Sequence, residues 1–110
     1  MGTTSPLGDF EQLVLLAVLR LGHQAYGVAI RREIEQRTER AVSRGAVYIT
    51  LDRLEEKGFL SSARADEPAP RSGQARRYYR VEPEGLAALQ AAHSALRSMW
   101  TGLEAQLGEL

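Results

Sequence analysis

The C-terminal part of the chain carries the pattern that most limits how it can fold. Leu86, Leu89, His93, Leu96, Trp100, Leu103, Leu107 and Leu110 recur at alternating steps of three and four residues. That spacing is the seam of a helix laid against another helix, and alanines at Ala87, Ala88, Ala91, Ala92 and Ala95 run beside it. Pro83 suits the first turn of such a helix. Continued from Pro83 to the last residue, it would be roughly 40 Å long at 1.5 Å per residue. A domain of this size cannot cover that length, so the far end requires a second chain, and a symmetric homodimer is the commonest way to supply one. Gly102 and Gly108 weaken the distal turns, where fraying is expected.

The remainder reads as three shorter helices and a hairpin. Phe10, Leu13, Val14, Ala17 and Leu21 form one helical stripe, widened by Leu16 and Val18; Asp9 with Gln12 resembles a capping pair, and Gly22 supplies a stop. A second helix is expected from Ala25 or Tyr26 to about Thr38, with Tyr26, Val28, Ile30 and Ile34 making apolar contacts. The flanking charges, Arg31 and Glu35 among them, are expected to be solvated. Gly27 near its start costs roughly 1 kcal/mol of helix propensity, and close approach of another backbone would justify it. Ser43 is a good N-cap for a third helix, which places Val47, Leu51 and Leu54 on one face and ends at Gly58. With the short link from Glu39 to Val42, the second and third helices make a helix-turn-helix. Phe59 to Arg64 and Arg76 to Val81 read as two strands around a polar Pro/Gly segment, a hairpin that must lean on the helices because two strands alone are marginal in water.

Composition removes several function classes. The 110 residues include no cysteine, so disulfides, thiolate metal sites and cysteine nucleophiles are all excluded. There is no nucleophile–base constellation, Gly-rich phosphate loop or metal-ligand cluster, and the two histidines, His23 and His93, stand apart; neither an enzyme nor a cofactor or metal protein is expected. Met1 to Pro6 lacks the features of a signal peptide, and Leu13 to Leu19 is too short to cross a bilayer. A soluble, cytoplasmic protein is the expectation. Net charge is zero, but it is unevenly distributed: Arg40 to Arg80 holds nine basic residues against five acidic ones, whereas Val81 to Leu110 holds Arg97 against four glutamates. A basic middle suits a nucleic-acid partner, and it equally suits an ordinary mixed surface.

The local sequences resemble those of a known family. Ser43 to Leu60, with its frame of Tyr48, Leu51, Leu54 and Gly58, is similar to the recognition-helix signature of the PadR family of bacterial transcription regulators. Arg77-Tyr78-Tyr79-Arg80-Val81 followed by Gly85 resembles the family's second wing strand, and Ala25-Tyr26-Gly27 the opening of its second helix. The likeness runs from Leu7 to about Trp100 and fits the short subfamily with one C-terminal helix. Ile49 and Glu82 depart from the pattern, where the family often has proline and threonine; the first bears on base preference and the second on a helix cap.

The resemblance implies a mainly α protein with a small β-hairpin: a winged helix-turn-helix over residues 1–82, followed by a dimerisation helix over 83–110. It implies sequence-specific binding of double-stranded DNA, with repression as the usual outcome. Arg44 is placed to read guanine or grip phosphate, with the cap residue Ser43 beside it among the DNA-binding residues, Gly45 and Ala46 to allow close approach, Tyr48 to offer a hydroxyl, Ile49 to touch a thymine methyl and Arg53 to meet the backbone. Tyr26 with the first amides of its helix suits a phosphate, and Arg71, Arg76 and Arg77 suit either a minor groove or the phosphates that flank it. Each has a plain alternative: a Tyr48 that packs under the wing, a solvated Arg44, a mobile basic loop. Leu89, His93, Leu96, Trp100, Leu103 and Leu107 are the expected dimer seam. In that seam Trp100 either anchors the interface or lines a pocket for a small aromatic effector, and His93 is either a plain seam residue or a sensor. The competing readings are a winged-helix adaptor for other proteins and a ligand-binding protein at the seam. A dimer implies a palindromic operator with half-sites about 34 Å apart.

Overall fold

The computed structural model describes residues 7–65 and 76–108; Arg71, the hairpin tip and Leu110 lie outside them. In chain order the elements are α1 (Asp9–Leu21), a 3-10 turn (Gly22–Gln24), α2 (Gly27–Thr38), α3 (Arg44–Glu56), β1 (Leu60–Arg64), β2 (Arg77–Val81), α4 (Pro83–Trp100) and α5 (Glu104–Leu107). The helix periodicities converge on one core. Val14, Leu15 and Val18 of α1, Ile30 and Ile34 of α2, and Val47, Leu51 and Leu54 of α3 are buried together, with Phe59, Leu60 and Tyr79 from the hairpin and Leu89 from α4 closing the cluster. The expected stripes of α1, α2 and α3 are the buried ones, except that Leu16 and Val28 face outward and Leu15 joins the core.

The hairpin pairs antiparallel, Leu60 with Val81 through Arg64 with Arg77. It leans on the helices as its marginal stability demands. Tyr26 forms an isolated bridge with Tyr78, and the Tyr79 N–H donates to Ala25 O at 2.9 Å, so the residues just before α2 act as a rudimentary third strand.

Four local expectations change. First, α1 is capped at Gly8, whose N–H donates to Glu11 Oε1 at 2.9 Å; the capping carboxylate is Glu11, and Asp9 instead takes Arg40 at 3.0 Å. Glu11 is buried, and Lys57 Nζ at 2.8 Å neutralises it, tying the start of α1 to the end of α3. Second, Arg31 and Glu35 are not merely solvated. Arg31 Nε donates to Val42 O at 2.8 Å and the Val42 N–H donates to Glu35 Oε2 at 3.0 Å, so α2 holds both backbone groups of the residue that ends the turn before α3. Glu39 makes that turn in the left-handed region, at φ 56°.

Third, Gly27 does accommodate a close neighbour, but the neighbour is a side chain. A Cβ at 27 would overlap the ring and hydroxyl of Tyr48. The close backbone approach is at Gly85, where a Cβ would run into the Phe59 carbonyl. Fourth, the C-terminal helix does not continue unbroken. α4 stops at Trp100, Thr101 is extended, and Gly102 turns at φ 92°, a conformation that disfavours any side chain. The Gly102 N–H then donates to the Glu104 carboxylate at the start of the separate turn α5. The 18 residues of α4 span about 27 Å, shorter than the spacing alone suggests.

Candidate nucleic-acid interface

The start of α3 is built to be exposed and cationic. Ser43 caps it, its Oγ accepting from the Ala46 N–H at 3.1 Å, which satisfies one of the free amides of the first turn. Ser43 is thereby committed to the cap. Arg44 follows immediately, and its guanidinium lies 5.7 Å from the centroid of the Tyr48 ring one turn on. A cation at the positive end of a helix is placed against the macrodipole. Arg44 therefore weakens α3 slightly where it stands, and an anion brought in from outside would reverse the sign. Gly45 has open space where a Cβ would be, Arg53 is exposed, and Ile49 is 60% exposed, a large aliphatic side chain held out on the same helix.

Tyr48 joins α3 to the start of α2. Its ring covers Gly27, which brings the phenol to the first turn of α2. Tyr26, the N-cap there, makes no side-chain capping bond, and neither α2 nor α3 has an acidic residue in its first turn. In contrast, α1 opens with Asp9 and Glu11, and α4 with Glu84. The two helix ends that carry the candidate residues are thus the two without an internal counter-charge.

The third element is the hairpin. Arg76 lies with its guanidinium 4.4 Å from the centroid of the Tyr26 ring, and Tyr26 meets Tyr78 edge-on with centroids 5.7 Å apart. Arg77 Nη1 donates to Ser62 Oγ at 2.9 Å. The structure therefore brings Tyr26, Arg44, Tyr48 and Arg76 into two linked stacks and places Arg77 beside the strand pair; Arg71 lies outside the described residues. The Tyr26–Arg76 stack and the Arg77–Ser62 bond had no periodic signal in the sequence, because they join residues far apart in the chain. Burial is the first cause that raises the Tyr79 hydroxyl pKa above the ordinary tyrosine value, and the Glu55 and Asp52 carboxylates add to it, so Tyr79 is a neutral core phenol.

The expected dimer seam divides. Leu89 is buried in the core of its own chain, and Trp100 is half-buried. Leu86, His93, Leu96, Leu103 and Leu107 are exposed, Leu96 at 53% and Leu107 at 56%. Met99, off the leucine register, is the most exposed apolar residue named among them at 75%. Among the described residues no three potential metal ligands cluster, and no helix is long and apolar enough to cross a membrane.

Residues 15–91 match the family model described as the transcriptional regulator PadR-like family. The chain is 38% identical over 77 residues to the transcriptional regulator Rv3488 of Mycobacterium tuberculosis, covering 70% of this chain and 67% of that one. Among solved structures it is similar to a PadR family transcription regulator from hypervirulent Clostridium difficile, at 27% identity and a TM-score of 0.71, covering 92% of this chain and 100% of the other. It is also similar to a PadR family transcriptional regulator from Eggerthella lenta, at 26% identity and a TM-score of 0.65, covering 90% and 84%.

Proposed function

We propose, for a chain that belongs to the PadR-like family of transcriptional regulators, that it binds double-stranded DNA as a homodimer and acts as a repressor released by a small aromatic effector. The observation that carries the DNA-binding part is the pairing of Arg44 and Tyr48 at the first turn of α3 with the uncapped, acid-free start of α2. Tyr48 lies between a guanidinium and a helix start without a counter-charge, and both of these favour an anion.

In this reading α3 enters the major groove. Arg44 contacts guanine or phosphate, Gly45 allows close approach, Ile49 meets a thymine methyl and Arg53 meets the backbone. Tyr26, Tyr48 and the amides of α2 hold a phosphate, and Arg76 and Arg77 follow the flanking minor groove. Residues 1–82 form the reading unit and 83–110 the dimer contact. The uncovered Leu96, Met99, Leu103 and Leu107 are the surface a second copy would bury, with Trp100 beside them as the aromatic surface for an effector.

Fluorescence anisotropy with duplex DNA from upstream of the protein's own gene tests the reading. If each subunit neutralises about four phosphates, affinity falls with a log–log salt slope of roughly −7. Arg44→Ala is expected to cost about 1–3 kcal/mol of specific binding. Absence of specific, salt-sensitive duplex binding in the wild-type protein would instead support a winged-helix adaptor for protein partners.

A further inference from the structure

One hydroxyl ties the middle of the hairpin to the recognition helix. Ser62 Oγ donates to Glu55 Oε2 at 2.7 Å and accepts from Arg77 Nη1 at 2.9 Å. Ser62 lies opposite Tyr79 in the strand register, and Arg77, two residues before Tyr79, shares that face of the ribbon. Glu55 stands in the last turn of α3. A serine has one proton to give and lone pairs to receive, so with a carboxylate on one side and a guanidinium on the other its direction is settled. Both bonds are charge-assisted, the stronger class of hydrogen bond.

The link adds a side-chain tie to a hairpin that buried Leu60 and Tyr79 and the Tyr79 N–H to Ala25 O bond already seat on the helices. The sheet has two strands and one isolated bridge, too little backbone pairing to be rigid alone. The second tie is the Arg76–Tyr26–Tyr78 stack, which joins the tip-ward half of β2 to the start of α2. The ribbon is thus held to α3 from the middle of β1 and to α2 from β2.

We propose that Ser62 is a positioning residue for DNA recognition, fixing Arg77 and the hairpin at the angle that lets Arg76 and Arg77 reach the flank of a half-site while α3 occupies the major groove. The proposal rests on the DNA-binding reading. Without the hydroxyl, the Arg77 side chain and the tip-ward end of the ribbon would have to be ordered at the moment of binding. The ordering cost of two long side chains corresponds to about a tenfold loss of affinity.

The test uses a duplex enriched by the wild-type protein from a random-sequence library, hydroxyl-radical footprints and thermal melting. Ser62→Ala is expected to bind about tenfold more weakly, to lose protection at the flanks and to keep it over the centre of each half-site. Ser62→Thr, which retains the hydroxyl and suits a strand, is expected to restore the flanks; Glu55→Gln is expected to resemble Ser62→Ala in part. A wild-type footprint and affinity for Ser62→Ala would overturn the positioning role alone. So would a uniform loss across flank and centre that tracks a lowered melting temperature and is not rescued by threonine. Failure of the wild-type protein to enrich any duplex would overturn the DNA-binding reading and the positioning role together.

Discussion

α3 and α4 carry apolar stripes of the same spacing and meet opposite fates. On α3, Val47, Leu51 and Leu54 are buried by α1, α2 and β1. On α4, Leu89 reaches the same core, but Leu96 and Met99 beyond it face solvent, as do Leu103 and Leu107 past the break at Gly102. Periodicity states that a face is to be covered; it does not state by which chain. The difference follows from length. α3 lies wholly within reach of its neighbours, whereas α4 leaves the core after its first turns and contacts little of its own chain besides α1. The same contrast separates the functional proposals: α3 reads, and α4 pairs the readers.

The sharpest way to test this division is to disrupt each stripe separately. Leu51→Ala is expected to lose about 2–5 kcal/mol of folding stability by thermal or denaturant unfolding, because the cavity cannot collapse. Charges placed on the far end of α4 and just past it are expected to act on association instead. Leu96→Asp, combined with Leu103→Asp, would place charge in the proposed contact and weaken it by about 2–4 kcal/mol. Sedimentation should then show the monomer with its far-UV spectrum intact. A double variant that sediments as the wild type does would break the comparison.

Smaller effects sharpen it further. Gly85→Ala, where the start of α4 meets the Phe59 carbonyl, is expected to destabilise by about 1–3 kcal/mol, because a backbone atom cannot move aside. Gly27→Ala differs in kind. The atoms in its way belong to the Tyr48 side chain, so adding Tyr48→Ala should recover part of the lost melting temperature, a coupling that Gly85 cannot show.

The smallest expected effect is a pH dependence at the α1–α3 tie. Burial pushes the Glu11 carboxyl upward, but the hydrogen bonds from Lys57 and the Gly8 amide, with the charges of Lys57 and Arg53, outweigh it and leave the pKa below the ordinary glutamate value. A lowered folded-state pKa adds stability that is fully present above the unfolded value, about 4.3. That stability is lost as pH falls through the folded value. Glu11→Gln should therefore cost about 1 kcal/mol near neutrality and flatten the acid limb of the unfolding curve.

Much of the fold was legible because its elements are local patterns. The Ser43 cap, the Val47–Leu51–Leu54 stripe, the turn at Gly58 and the two strands each depend on residues within a few positions of one another. What was not legible joins distant positions. Glu11 with Lys57, Arg76 with Tyr26, and Ser62 with Arg77 leave no period to read. The grip of Arg31 and Glu35 on Val42 is nearer in sequence, but it was hidden because surface charges on a helix look alike until the following turn folds back on them.

Sequence alone determined that α1, α2 and α3 each bury one face and that a hairpin follows them, since apolar spacing and capping residues act within a turn or two. Tertiary structure alone decided what each unusual residue was for. Gly27 makes room for a phenol and Gly85 for a carbonyl, and α4 ends at Thr101 with its outer leucines uncovered. The physical reason is that excluded volume and long-range charge pairing depend on where separate segments meet, and that is settled only when the core closes.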